Sequence, residues 1–285
     1  MTEPLICVSN LCVDYPRAQV VKKISFTLGQ ERLALVGESG SGKSMTARAL
    51  MGLVRKPGIV SADTLTFGQT SLLSLLSLRE KQWAALRGND IAMIMQDPRY
   101  ALNPVRNLYQ QIEESLLRHQ TLNKSDRRDR VYEMARAAGL SEQALSRYPG
   151  QLSGGMGQRA MIAIALINNP SVLIADEPTS ALDARLRHQI LELIVSQCEE
   201  RNMGLLLISH DLPLVAAHCQ RVMVMYQGQQ VDELPAAQLP QATHPYTRTL
   251  WTCRPDAQTY GTDLPVLDRA ALQVLLTQET HHAGK

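Results

Sequence analysis

The sequence contains few aromatic side chains, with 2 Trp, 8 Tyr and 2 Phe among its 285 residues. Aliphatic and methionine side chains must therefore fill the core, and a hydrophobic fraction of 45% supplies enough of them for a globular fold. An excess of charge of one sign is also missing, because 29 Lys and Arg are balanced by 27 Asp and Glu. This balance argues against a nucleic-acid-binding protein, which usually carries a marked basic stripe.

Cysteines and long apolar runs are also scarce. The five cysteines form neither a C-x-x-C pair nor a Cys/His cluster with metal-ligand spacing, which favours free thiols in a reducing cytoplasm. Residues 1–6 lack the basic and apolar regions of a signal peptide. Apolar runs such as 161–167 are much shorter than the ~20 residues of a membrane-spanning helix. If the protein works at a membrane, we expect other chains to supply the spans.

A complete phosphate loop is present at residues 37–44, which match G-x-x-x-x-G-K-[ST] between the apolar run 33–36 and a predicted helix over 45–52. The glycines let successive backbone N–H groups point at one anion, and the helix adds the positive end of its dipole. We expect Lys43 to reach the β- and γ-phosphates and the Ser44 hydroxyl to bind Mg²⁺. The expected nucleotide-binding residues of this loop are Gly37, Glu38, Ser39, Gly40, Ser41, Gly42, Lys43 and Ser44.

Two acids end a second apolar strand. Asp176 and Glu177 follow the run 172–175, which places both carboxylates at the carboxyl edge of the predicted sheet, beside the phosphate loop. We expect Asp176 to hold Mg²⁺, directly or through water, and Glu177 to orient and deprotonate the attacking water. An acidic turn that merely closes a strand is the simpler alternative, but the phosphate loop upstream makes the catalytic interpretation stronger.

A second anion-binding nest is predicted at Ser153, Gly154 and Gly155, which precede a helical run over 158–168. The chain thus carries two nests but only one of them includes a lysine. The second nest could serve a second anion, or it could face a nucleotide held by another subunit.

The order of the predicted elements indicates an α/β fold with parallel strands buried on both faces. The block between Pro98 and Pro149 is expected to be a helical insertion, with helices over 107–120 and 124–138. A loop and a short helix are expected over 70–83, and a loosely wrapped tail beyond about residue 232. Antiparallel strands are expected over 5–8, 20–21 and 24–28, and parallel strands over 33–36, 91–95, 172–175, 205–208 and 222–225.

The motifs, taken in order, resemble those of the ATP-binding subunits of ABC transporters over about residues 5–250. Residues 152–156 match the L-S-G-G-x signature of that family. The other matches are Tyr15 to the aromatic that stacks on adenine, Gln96 to the Q-loop glutamine, Asp183 to the D-loop, and His210 to the H-loop histidine. The resemblance implies a P-loop NTPase cassette with a RecA-like parallel-sheet core, an N-terminal antiparallel β subdomain and an inserted helical subdomain.

The resemblance also implies roles for these residues and a domain division. Gln96 would sense Mg²⁺ and the attacking water, and His210 would contact the γ-phosphate. The signature residues Ser153, Gly154 and Gly155 would complete the ATP site of an opposing cassette, with Asp183 at the interface. The division is a nucleotide-binding domain over 1–235, with the helical subdomain inserted at about 98–160, and a tail extension over 236–285. Ser44, Gln96 and Asp176 would be the Mg²⁺-binding residues.

The implied partners are two transmembrane permease subunits, a second and related ATP-binding subunit, and indirectly a solute-binding protein, with ATP and Mg²⁺ as cofactors and no nucleic acid. The protein would bind peripherally to the cytoplasmic face of a bacterial inner membrane. Residues 95–104, 153–163 and 244–248 are similar to those of peptide and nickel importers. The tail holds Cys253 alone and so cannot ligate the iron–sulfur cluster of many peptide-type subunits.

This difference, the compact length of the chain and the stretch at residues 94–99 favour import of nickel or a metal chelate, with di- or oligopeptide import as the alternative. A soluble ABC ATPase acting on DNA or ribosomes is the second alternative, and a small kinase or GTPase is the weakest. Soluble ABC ATPases usually have a second cassette or a long coiled-coil insertion, and this sequence has neither. In a kinase or GTPase the signature nest would have no purpose.

Overall fold

The computed structural model describes residues 4–68 and 73–253. Within them the strands are β1 (Ile6–Tyr15), β2 (Ala18–Leu28), β3 (Arg32–Val36), β4 (Ile59–Ser61), β5 (Thr64–Phe67), β6 (Leu73–Ser74), β7 (Ile91–Ile94), β8 (Val172–Asp176), β9 (Gly204–Ile208), β10 (Arg221–Tyr226) and β11 (Gln229–Pro235). The α-helices are α1 (Lys43–Leu50), α2 (Glu80–Leu86), α3 (Pro98–Ala101), α4 (Leu108–Leu117), α5 (Lys124–Ala137), α6 (Gly154–Leu166), α7 (Ala184–Glu200), α8 (Leu212–His218) and α9 (Pro245–Thr252).

The central sheet has the strand order β11-β10-β3-β9-β8-β7, and all its neighbours are parallel except β11, which is antiparallel to β10. Every residue of β8 and β9 is buried, as continuous apolar runs predict for strands covered on both faces. The predicted α/β core and its parallel strands are therefore confirmed. The carboxyl ends of β3, β7, β8 and β9 meet at one edge of this sheet, and each is followed by a predicted site residue.

The N-terminal strands form a separate antiparallel sheet in which β1 pairs with β2, β4 and β5. The predicted antiparallel start of the chain is confirmed. Beyond it, the described part of 70–83 contains the two-residue strand β6, a single 3₁₀ turn over Leu75–Ser77 and the start of α2. A short helix is thus present there, while residues 70–72 lie outside the described part.

Residues 98–166 form helices and turns, which confirms the predicted helical insertion. The side chains of Asn107, Asn123 and Ser153 each accept a hydrogen bond from the backbone N–H three residues on, so α4, α5 and α6 all begin at a capped residue. Buried residues such as Ile112 and Val131 then join the same hydrophobic cluster as one face of the sheet. The insertion is therefore packed onto the core.

The central sheet separates two hydrophobic clusters, because successive side chains of a strand point to opposite faces. On β3, Ala34 and Val36 lie in the cluster shared with α4–α7. Leu33 and Leu35 lie in the cluster shared with α1 and the antiparallel sheet. Both faces are thus covered, and the free edge at the strand ends is where side chains can meet a ligand.

The described part of the tail is firmly packed, so the expected loose wrapping is wrong for residues 236–253. A 3₁₀ helix over Ala236–Gln241 leads to α9, in which Tyr246 and Thr247 are almost completely buried. Pro245 is the first residue of α9, and the side chain of His244 before it makes no capping hydrogen bond. Residues 254–285 lie outside the described part. Among the described helices, none combines the length and hydropathy that a bilayer span requires.

Candidate functional site

The phosphate loop connects β3 to α1 and folds around the side chain of Lys43. Lys43 is 6% exposed, and its ammonium donates hydrogen bonds to the carbonyl oxygens of Gly37 and Glu38, both at 2.8 Å from Nζ. The Ser41 hydroxyl oxygen lies 3.4 Å from the same nitrogen. Gly37 has φ +146°, and a Cβ added there would lie 2.1 Å from the carbonyl oxygen of Met225. Only glycine therefore fits at the start of the loop.

The electrostatics of Lys43 are set by burial and by three nearby carboxylates. Burial lowers the pKa of Lys43, while the negative charges of Glu177, Asp176 and Glu38 raise it. The ammonium is thus largely removed from water, with neutral oxygens as its direct partners. A buried cation of this kind, at the N-terminus of a helix, is suited to bind the phosphates of a nucleotide.

Ser44 and Asp176 bring two oxygen donors together beside the loop. The Ser44 hydroxyl donates to Oδ1 of Asp176 across 2.8 Å. Asp176 is the last residue of β8 and only 7% exposed, and burial raises the pKa of its carboxyl, although the Ser44 hydrogen bond and the charges of Arg48 and Lys43 lower it. A hydroxyl next to a carboxylate is the set of oxygen ligands that Mg²⁺ prefers. These residues therefore fit the predicted metal ion.

Glu177 leaves the strand in a different direction from its neighbour. Its φ is +47°, a left-handed conformation that is uncommon for residues other than glycine, and its N–H donates to the carbonyl of Ile208 at 3.0 Å. The side-chain amide of Gln96 donates to Oε2 of Glu177 at 3.1 Å. Nδ1 of His210 lies 3.8 Å from the same oxygen. The three predicted catalytic residues are thus adjacent, each at the end of a different strand.

A cleft of about 610 Å³ opens beside these residues. Ser44, Gln96 and Asp176 line it, together with Arg48. Arg48 was not among the predicted site residues, although it lies four positions after Ser44 on α1, so that both share one helix face. Arg187 was not predicted either; it donates to Asp211 at 3.3 Å and so joins α7 to the residue after His210. No motif marked either arginine.

The remaining predicted site residues lie elsewhere. Ser153 caps α6 through its hydroxyl oxygen, which accepts from the Met156 N–H at 3.3 Å, and both Ser153 and Gly154 are exposed. They line a second cleft of about 520 Å³, with Pro98 and Leu182 among its walls. Asp183 caps α7 by accepting from the Leu186 N–H at 3.0 Å. The structure thus places the signature residues away from the cleft beside the phosphate loop.

Tyr15 also stands apart from the phosphate-loop cleft among the described residues. It ends β1, and its hydroxyl donates to the carbonyl of Arg55 at 3.3 Å. Its ring packs against Gly58, where an added Cβ would lie 2.7 Å from the ring. The structure therefore brings together Lys43, Ser44, Gln96, Asp176, Glu177 and His210, and it keeps Tyr15, Ser153, Gly154, Gly155 and Asp183 outside this group.

A parallel sheet, a glycine loop wrapped around a buried lysine and two acids at the next strand end define a nucleotide-binding protein of the phosphate-loop class. A narrower assignment comes from a family model described as ABC transporter, which matches residues 21–180, more than half of the chain. The protein belongs to the ABC transporter family.

Curated relatives agree with this assignment. The chain is 46% identical over 242 residues to the dipeptide transport ATP-binding protein DppD of Haemophilus influenzae, covering 84% of this chain and 72% of the relative. It is 45% identical over 230 residues to the oligopeptide transport ATP-binding protein AppD of Bacillus subtilis, covering 79% and 69%. DppD of Escherichia coli is 44% identical over 243 residues, covering 84% and 73%.

Solved structures show the same fold. The ATP-binding cassette MJ0796, determined as a dimer bound to ADP and phosphate, superposes with a TM-score of 0.69 at 26% identity, covering 81% of this chain and 98% of that one. CbiO1 of Clostridium perfringens, at 24% identity, has the same TM-score of 0.69 and covers 85% and 92%. The predicted cassette fold is confirmed, and the protein is an ABC ATPase that binds ATP.

Proposed function

We propose that this chain hydrolyses ATP to drive an importer of di- or oligopeptides. The observation that carries the proposal is the identity of 44–46% to dipeptide and oligopeptide transport ATP-binding proteins, over 79–84% of the chain. The preference for nickel or a metal chelate was based on the lone Cys253, the compact length and residues 94–99, and these relatives do not support it. They support the peptide alternative.

The nucleotide would bind in the phosphate loop. Lys43 would transfer its hydrogen bonds from the carbonyls of Gly37 and Glu38 to phosphate oxygens, which are stronger partners because they are charged. Ser44 and Asp176 would hold Mg²⁺, since their oxygens already face each other at 2.8 Å. The ion would supply positive charge that neutralises the phosphates.

Glu177 would act as the general base that accepts a proton from the attacking water. Its carboxylate lies within reach of Gln96 at 3.1 Å and His210 at 3.8 Å, so both can orient the water and the terminal phosphate around it. The neighbouring Asp176 is buried, and its carboxylate instead accepts a hydrogen bond from Ser44. The two acids therefore have separate roles despite being adjacent in sequence.

A second cassette would complete the site. Ser153 and Gly154 are exposed at the start of α6, where the helix N-terminus can meet a phosphate presented by another chain. Asp183 would lie at that interface, and Tyr15 would contact the adenine. The dimeric state of the ADP- and phosphate-bound MJ0796 cassette is consistent with such an arrangement. We propose a related but different chain as the partner.

The proposed complex contains two permease subunits that span the membrane, and a solute-binding protein would deliver the peptide to them. The second cleft is lined on one side by residues between Asp97 and Pro104 and on the other by the signature, and it offers a place for a permease helix. Within residues 97–107, Tyr100 and Val105 are 85% and 79% exposed, and an interface would cover both. The chain would thus be peripheral on the cytoplasmic face of the membrane.

Transport in a deletion strain tests the cargo. We expect uptake of a labelled dipeptide to be lost in the deletion strain, restored by the wild-type gene and not restored by Glu177→Gln, while nickel uptake stays unchanged throughout. Loss of nickel uptake with normal dipeptide uptake would overturn the peptide assignment. Recovery of ribosomes or DNA, rather than permeases, with the tagged protein from detergent extracts would overturn the importer assignment itself.

A further inference from the structure

Tyr246 of helix α9 reaches back to the phosphate loop. Tyr246 is the second residue of α9 and has no exposed surface. Its hydroxyl oxygen accepts a hydrogen bond from the backbone N–H of Glu38 at 3.1 Å. The two residues are 208 positions apart, and the nucleotide-binding motifs of the proposed function assign no role to the tyrosine. This contact joins the tail of the chain to the loop that would hold ATP.

The tyrosine is held by groups outside the loop. Its ring packs against the ring of Tyr226, with centroids 4.7 Å apart at 55°. The next residue, Thr247, donates to Oδ2 of Asp232 at 2.6 Å. Tyr226 ends β10 and Asp232 lies in β11, so both anchors belong to the central sheet. The sheet therefore holds Tyr246 through contacts that do not involve the loop.

The N–H that Tyr246 accepts from belongs to the peptide unit between Gly37 and Glu38. The carbonyl oxygen of this same unit, that of Gly37, accepts a hydrogen bond from Lys43 at 2.8 Å. A peptide unit is planar, so fixing the direction of its N–H also fixes the direction of its C=O. Gly37 would otherwise allow the unit more rotation than any other residue type. By holding the N–H, the Tyr246 hydroxyl thus fixes the orientation of the peptide whose carbonyl oxygen accepts from Lys43.

We propose that Tyr246 is a positioning residue for the nucleotide site: its hydroxyl orients the Gly37–Glu38 peptide and, through it, the ammonium of Lys43. The inference rests on the proposed function only in that the phosphate loop is taken as the ATP site. Its consequence is that the segment after β11 contributes to nucleotide affinity without touching the nucleotide.

The test is Tyr246→Phe in the full-length chain, which keeps the ring and removes only the oxygen. The matched control is Tyr226→Phe, which removes the neighbouring buried hydroxyl, whose partner is the side chain of Gln227 at 3.1 Å. We expect Tyr246→Phe to raise the Kd for Mg-ATP and the KM about 3- to 10-fold, the range for one hydrogen bond, with kcat within about twofold. Tyr226→Phe should leave Kd within about twofold of wild type.

The melting temperature of the nucleotide-free protein separates positioning from a structural effect. We expect both variants to melt within a few degrees of each other while only Tyr246→Phe weakens ATP binding. Equal weakening by both variants, or an unchanged Kd in Tyr246→Phe, overturns the inference. Lys43→Ala distinguishes the two levels of the argument. If Lys43→Ala binds Mg-ATP like wild type, the loop assignment fails; if Lys43→Ala loses binding but Tyr246→Phe does not, only the inference fails.

Discussion

The hydroxyl of Ser44 donates a hydrogen bond to the carboxylate of Asp176 across 2.8 Å, joining the helix after the phosphate loop to the end of β8. The bond connects residues 132 positions apart, and it lies beside the buried ammonium of Lys43. The oxygen atoms proposed to hold Mg²⁺ are thus already together in the folded chain. The burial of Asp176 has a cost in stability, because it makes the charged form of the carboxyl less favourable.

The variant Asp176→Asn is expected to be more stable than wild type in the absence of nucleotide and magnesium. Burial raises the pKa of Asp176 above its usual 3.8, so the folded protein loses stability as pH rises from 3.8 through the raised pKa, and the loss is complete above it. At neutral pH the variant avoids this loss, and we expect its Tm to be about 1–3 °C higher.

The same comparison at acidic pH is the control for the charge explanation. The difference in Tm between wild type and Asp176→Asn should disappear as the pH falls below 3.8, where both side chains are neutral. Magnesium-dependent ATP binding should nevertheless be weaker in the variant. A lower Tm for Asp176→Asn at neutral pH would contradict the expectation.

Lys43→Met should weaken ATP binding about 10- to 100-fold, because charge-assisted hydrogen bonds to phosphate are worth about 1.5–3 kcal/mol. Methionine preserves most of the buried aliphatic stem, so folding is retained. Lys81→Met removes an exposed lysine from α2 and serves as the matched control. Titration of each full-length variant with Mg-ATP gives the two affinities, and equal Kd values for both variants would show that Lys43 does not bind the phosphates.

Glu177→Gln should reduce kcat for ATP hydrolysis about 10²- to 10⁴-fold, the usual contribution of a general base. ATP affinity should be kept, because Lys43 and Asp176 remain. With hydrolysis blocked, ATP should hold this chain and its proposed partner cassette together, so size-exclusion chromatography of the two chains in Mg-ATP should show a dimer that wild type does not accumulate. Hydrolysis at the wild-type rate would show that Glu177 is not the base.

Ser153→Asp separates helix capping from phosphate binding at the signature. Aspartate caps helices about as well as serine, so α6 and the Tm should be maintained. Its negative charge would repel the phosphates of a nucleotide on the opposing cassette, so ATPase activity of the assembled complex should fall at least about 10-fold. Ser153→Asn, which caps without charge, is the control, and full activity in the aspartate variant would indicate that Ser153 faces no phosphate.

The sequence predicts the parallel strands and their end residues well. An apolar run indicates a buried strand, and the glycine or acidic residue that follows it indicates the site residue at the strand end. It predicts the adjacency of Asp176 and Ser44 through the rule that parallel strand ends share one edge. The contact between Tyr246 and Glu38 was not predictable, since it depends on how α9 packs after β11. The wrong expectation of a loose tail has the same origin: composition records the Pro and Gln content of 236–253 but not the burial of one tyrosine.

Cargo is the feature that residues near the nucleotide predict least. The absence of a cysteine cluster in the tail pointed to metal import, yet relatives at 44–46% identity are peptide transport proteins. In the proposed complex the permease subunits carry the cargo, so residues of the ATP site give little information about which cargo it is.

The left-handed backbone at Glu177 limits which substitutions are informative there. Side chains branched at Cβ are strongly disfavoured at positive φ. A valine or threonine at this position would therefore remove the carboxylate and also strain the turn after β8, which would disturb the positions of Ser44 and Gln96. Glycine would remove the strain but make the backbone of the same turn more flexible. Glutamine has the same length as the native side chain and is likewise unbranched at Cβ. Glu177→Gln is therefore the substitution to use for an inactive form intended for structure determination.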